Sequence, residues 1–170
     1  MSTFNNFERL TIALGADRAL GKDYFVDAKL VGELVTSGNE WALHWEYDWL
    51  SKEPHVLDEV VDETVRIFEM FRHLQTSAEQ SGHREVDTTF EGFDFNNDKH
   101  AGVARVLVEK LDRFDGVKGA TNNSHSIVSI DRYRRMLAVY EPILKAIQGA
   151  TYRTLNKDEI DQVLDRWRGK

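Results

Sequence analysis

The apolar positions of this chain fall mostly at three- and four-residue steps, and one long run of them organises the rest. Between residues 54 and 80, Val56, Leu57, Val60, Val61, Val65, Phe68, Phe71 and Leu74 recur along one helical face, with carboxylates and arginines between them. That spacing predicts a long amphipathic helix, with Pro54 in its first turn and Ser81-Gly82 at its end. Upstream, Phe7, Leu10 and Leu14 share a face behind the possible caps Ser2, Thr3, Asn5 and Asn6, so a first helix is expected from about residue 5, weakened at its end by Gly15 and Gly21. Tyr24, Ala28, Val31, Leu34 and Val35 predict a second helix over residues 23–37, stopped by Gly38 and Asn39. The two together read as a helical hairpin.

Residues 41–50, WALHWEYDWL, place Leu43, Tyr47 and Leu50 on one stripe and Trp41, Trp45 and Trp49 on another. A helix apolar on both faces needs two neighbours, so the segment is read as a core wedge between the hairpin and the long helix. The alternative is an exposed aromatic patch, with Trp41, Trp45 and Trp49 as candidate interface residues.

After residue 82 the helical period disappears. Val86, Thr88 and Phe90 alternate, which suggests a connector with a short extended piece. A helix resumes at residue 97 or 98, carried by Val103, Val106, Leu107, Leu111 and Phe114, and residues 116–126, GVKGATNNSHS, form a loop. Asp131 caps the next helix, whose stripe is Tyr133, Leu137, Tyr140, Leu144 and Ile147, with a kink expected at Pro142. Asn156 with Glu159 resembles a capping box for the last helix, which carries Ile160, Val163, Leu164 and Trp167. The reading is an all-α fold of six or seven helices in two packed subdomains, residues 1–80 and 81–170, with the long helix as the hinge.

Composition narrows the function more than it defines it. A chain of 170 residues is long enough for a sizeable core, burying roughly 70% of the surface its unfolded form exposes. No apolar run approaches the ~20 residues of a membrane helix, and the N-terminus does not read as a signal peptide. With no cysteine there is neither disulfide nor thiolate chemistry, and a cytoplasmic location is expected. A net charge of −7 argues against a nucleic-acid or anionic-membrane partner. Residues 1–98 hold 20 acidic and 8 basic side chains and residues 99–170 hold 9 and 14, so the two parts carry −12 and +5. They should attract, within the chain or between subunits, unless the basic part binds an anion.

Asp94, Asn96 and Asp98 open like a calcium loop, but Lys99 and Arg105 stand where such a loop needs glycine and glutamate. The pairs His44/Asp48 and Glu69/His73 lie four apart without the further ligands a metal site requires, and no metal or other cofactor is implied. Ser124, His125 and Ser126 are adjacent, a geometry that rarely makes a catalytic triad. A helix-turn-helix over residues 152–167 would present Asp158, Asp161 and Asp165 to phosphates.

At residues 90–94 (FEGFD), at Phe114-Asp115, at residues 133–137 (YRRML) and at residues 155–164 (LNKDEIDQVL), the sequence resembles the YfbU family of bacterial proteins of uncharacterised function. The likeness is strongest from residue 90 onward. It implies an all-α cytoplasmic fold, with a helical-hairpin part and a second helical part, that assembles with itself. It brings no catalytic residues.

Two functions fit these features. One is a non-enzymatic protein that works as a homo-oligomer or through a protein partner. The other is a small anionic-ligand or hydrolase-like site between the subdomains, formed by Asp94, Asn123, His125, Tyr133 and Arg135. In it, His125 would act near neutral pH, Asp94 would orient it and Arg135 would hold an anion.

Overall fold

The computed structural model describes residues 5–50, 58–84, 86–117, 130–148 and 153–168, with residues 167 and 168 described by backbone only. Among these residues the protein is all-helical, with seven α-helices and no strand. It divides into two compact units, Met1–His55 and Val56–Lys170, each with its own core.

In the first unit, α1 (Asn6–Leu20) begins in a full capping box: the Asn5 side chain accepts the Glu8 N–H, and Glu8 accepts the Asn5 N–H. It ends where Gly21, at φ 63°, takes the left-handed conformation that lets its N–H reach back to the Arg18 carbonyl. α2 (Ala28–Thr36) starts later than its apolar spacing predicts, because Asp17 captures the residues ahead of it. The buried Asp17 carboxylate accepts the backbone N–H groups of Tyr24, Phe25 and Val26 at 2.8–3.0 Å, which holds that stretch out of the helix. Asp27 then caps α2.

Residues 40–50 are a broken path rather than one helix. A 3-10 turn (Glu40–Ala42), the single turn α3 (Leu43–Glu46) and a second 3-10 turn (Asp48–Leu50) follow one another. Leu43, Tyr47 and Leu50 join Val26 and Val31 in the core, and Leu10, Ala13, Leu14, Leu34 and Trp49 pack around them. Within this unit the stripe of Leu43, Tyr47 and Leu50 is covered, while Trp41 and Trp45 are exposed.

The second unit is built on α4 (Asp58–Gln80). Phe68, Phe71 and Leu74 are buried as their spacing predicts, while Val60, Val61 and Val65 are half-buried. Ile67 and Met70 are buried too, so the covered arc is wider than one stripe, as suits a central helix wrapped by others. Its apolar side chains share one core with residues of the 86–117 stretch, α6 (Ile130–Gln148) and α7 (Lys157–Arg168). The helix is therefore the spine of the C-terminal unit, and the structural division falls before it rather than after residue 80.

Aromatic rings knit this core. Phe68 meets Phe90 at 5.3 Å and Phe114 at 5.1 Å between centroids, and Tyr133 lies 5.4 Å from Phe71 and 5.3 Å from Phe90. Each such pair adds about 0.5–1.5 kcal/mol to the burial of its surface.

α5 (Lys99–Arg105) runs into a π turn (Val106–Lys110), where the Leu111 N–H reaches back five residues to Val106. The wider turn shifts the apolar phase. Val108 becomes the buried residue, while Val106 and Leu111, expected on the core face, are exposed. α6 continues through Pro142, and α7 opens on the Asn156/Glu159 capping box that its sequence announces. Residues 118–129, most of the glycine-asparagine loop, lie outside the described residues, as do Trp167's surroundings.

Candidate functional site

Asp94, the first of the expected ligand residues, is buried and caps its own turn. Its Oδ2 accepts the Asn97 side-chain amide at 2.7 Å and its Oδ1 the Asn96 N–H at 2.9 Å, and these bonds, the Asn97 amide foremost, hold its pKa below the usual carboxylate range. Tyr133 is sealed in the aromatic core and donates its hydroxyl to the carbonyl of Gly92 at 2.8 Å, and burial raises its pKa far above that of an ordinary phenol. Arg135, two positions on, is exposed and makes no hydrogen bond or ion pair with Asp94 among the described residues. Asn123 and His125 lie outside the described residues. Of the three that are described, Asp94 and Tyr133 take part in local structure and Arg135 faces solvent.

A polar cluster that spacing alone does not reveal joins α4, α5 and α6. Arg134 grips the Glu63 carboxylate with Nε at 2.8 Å and Nη2 at 2.9 Å, and Nε2 of His100 meets Glu63 Oε2 at 2.8 Å. The Arg134 fork, opposed by burial and aided by His100, lowers the Glu63 pKa. Nδ1 of His100 is buried with no hydrogen-bond partner among the described residues. Part of the attraction expected between acidic and basic halves is thus realised inside one unit, between an acidic residue of α4 and a basic one of α6. The partners lie 37 and 71 positions from Glu63, beyond the reach of any local motif.

On another side of α4 a cleft of about 710 Å³ opens against α6 and the residues entering α7. His73 and Tyr140 form its floor, with the Tyr140 hydroxyl 3.0 Å from His73 Nδ1. Desolvation lowers the His73 pKa, only partly offset by a hydrogen bond to the Arg153 backbone, so the ring is neutral at pH 7. Arg72 and Arg153 flank it, and Thr76, Gln80, Leu144 and Thr154 complete the rim. Each arginine has a carboxylate partner: Arg72 pairs with Glu69, and Arg153 forms a two-point contact with Glu159 at 2.7 and 2.8 Å.

The first unit carries its apolar surplus outside. Trp45 is 84% and Trp41 64% exposed, whereas Trp49 packs against the small core. Phe7 and Tyr24 are 78% and 72% exposed, and Ile12, Leu20, Phe25 and Val35 are also open. On α1 the core takes Leu10, Ala13 and Leu14; Ile12 lies on the opposite side of the helix, and Phe7 and Leu20, near its two ends, stay exposed.

The fold and its surfaces describe an all-α protein without a membrane-crossing helix among the described residues. The YfbU domain model matches residues 26–166, and the chain belongs to the YfbU family. The match extends well upstream of residue 90, into the helices of the first unit. No curated protein and no solved structure shows significant similarity to the chain.

Proposed function

We propose that the protein acts by self-association, using the apolar surface of its N-terminal unit to bind a second copy of itself. The observation that carries this reading is the exposure of Trp41 and Trp45, together with Phe7, Ile12 and Tyr24, in the same unit. Five aromatic side chains, Phe7, Tyr24, Phe25, Trp41 and Trp45, are exposed there. At ~150–250 Å² per ring they offer apolar area on the order of the ~800 Å² that each partner contributes to a standard interface. Two copies meeting through the same patch form a closed pair, in which every exposed ring finds another apolar surface and none remains to propagate a filament.

The test is sedimentation velocity over a range from about 1 to 200 µM, chosen to bracket a micromolar dissociation constant. The wild-type chain should shift from monomer to dimer, and Trp41→Ser/Trp45→Ser should hold it monomeric across the range. A wild-type chain that stays monomeric throughout overturns the proposal, as does a double variant that dimerises unchanged.

A further inference from the structure

We propose that the cleft between α4, α6 and the entry to α7 binds a small dianionic metabolite, whose phosphate or carboxylate oxygens are held between the guanidinium groups of Arg72 and Arg153. A volume of about 710 Å³ suits a small molecule, since ligand pockets run from roughly 300 to 1,000 Å³. The protein carries −7 in all, but at the cleft Arg72 and Arg153 are matched by Glu69 and Glu159, so the site is locally neutral where the rest of the chain is acidic.

Both arginines keep donors in hand. Arg72 spends Nη2 on Glu69, which leaves Nε and Nη1. Arg153 spends Nη1 and Nη2 on Glu159 and the Thr154 carbonyl, which leaves Nε. The carboxylates that take these bonds also aim the guanidiniums. Glu159 is fixed by its own capping box with Asn156, so Arg153 is held in place before any ligand arrives. The neutral His73–Tyr140 floor ties the walls together and brings no competing charge. Hydroxyls of Thr76 and Thr154 and the Gln80 amide supply the uncharged donors that a polar metabolite needs around its oxyanion. The neighbouring cleft along α4 shares Glu69 and Arg72 but adds Asp112, Arg113 and Asp115, and with three carboxylates to two arginines its lining suits an anion less well.

The experiment is a two-dimensional ¹H–¹⁵N NMR titration of the full chain with inorganic phosphate and, separately, citrate, at ionic strength held constant with sodium chloride. Saturable shifts are expected at the backbone amides of residues 72–76, 140–144 and 153–154, with half-saturation at millimolar concentration or below. Arg72→Gln should weaken binding at least tenfold, and Arg72→Lys, which keeps the charge but loses the fork, should weaken it less. Arg153→Gln should act like Arg72→Gln, but Arg153 also supports the α7 cap, so the exposed Arg72 decides the matter if that variant does not fold. Shifts that track chloride equally, that centre elsewhere, or that survive Arg72→Gln unchanged overturn the proposal.

Discussion

Arg134 holds Glu63 in a two-point fork, Nε on Oε1 at 2.8 Å and Nη2 on Oε2 at 2.9 Å, across 71 positions of sequence. Glu63 is only 15% exposed at its side chain and also meets His100, so neither charge partner is a loose surface contact from its side. Arg134 is half exposed, which discounts the pair for solvent screening. Glu63→Gln should therefore destabilise the second unit by about 1–2 kcal/mol near neutral pH. The pH dependence has a fixed sign. Because the folded pKa lies below the ordinary 4.5, the stabilisation is complete above about pH 4.5 and is lost as pH falls through the depressed folded value. Urea denaturation followed by circular dichroism at pH 7 and in steps below pH 4.5 should show wild type and Glu63→Gln converging as the pH falls. A constant gap would show that the carboxylate's charge contributes nothing.

Asp17 has a comparable role in the first unit, with backbone in place of a cation. Its carboxylate accepts four hydrogen bonds from three consecutive N–H groups, and it is itself buried. Removing it leaves those N–H groups of residues 24–26 without their acceptor. Asp17→Ala should cost about 2–4 kcal/mol, more than any single exposed substitution. Asp17→Asn, which keeps one carbonyl oxygen, should lose less. Three of the four tryptophans lie in this unit, so tryptophan fluorescence during urea denaturation reports the loss directly.

These two anchors show what the sequence could and could not reveal. Helix identity and order were legible because apolar spacing and caps are local: Asn5 with Glu8, Asn156 with Glu159 and Gly21 all sit within a turn of what they cap. The late start of α2 was not, since it depends on a carboxylate several residues upstream overriding the periodicity of Tyr24. Nor was the exposure of Val106 and Leu111, which follows from one π turn that no residue type announces. Of the ligand residues chosen for their chemistry, Asp94 and Tyr133 proved to be polar groups with local structural tasks. The cleft draws on α4, α6 and residues 153–154; of its lining, spacing singles out Glu69 and His73 as a pair four apart and Tyr140 and Leu144 only as apolar stripe.

The floor of that cleft makes its own pH prediction. His73 is neutral in the folded protein because burial lowers its pKa below 6.5. Below about pH 6.5 the unfolded chain takes up a proton that the folded ring resists, so this residue's effect is to drain stability as pH falls from 6.5 through the folded value. His73→Gln should remove that slope. Tyr140→Phe keeps the ring but deletes the hydroxyl 3.0 Å from Nδ1, and should cost about 1–2 kcal/mol at pH 7.5. Thermal melts of the three proteins between pH 5 and 7.5 separate the effects: a wild-type slope in this range that His73→Gln leaves unchanged belongs to another group.

The two stripes of residues 41–50 should behave oppositely under substitution. Tyr47 is buried, and its hydroxyl oxygen accepts the Asp27 N–H at 2.9 Å where α2 begins. Tyr47→Ala should remove both ring and acceptor and cost about 3 kcal/mol or more. Trp45, two positions earlier, is 84% exposed and touches little of the core. Trp45→Ala should change monomer stability by no more than about 0.5 kcal/mol, measured in dilute solution where association is negligible. At high concentration the same substitution should lower the apparent melting temperature relative to wild type, because only the wild type gains the stabilisation that dimerisation provides. A Trp45→Ala chain as destabilised at low concentration as at high would place that ring in the core of its own chain and remove it from the interface.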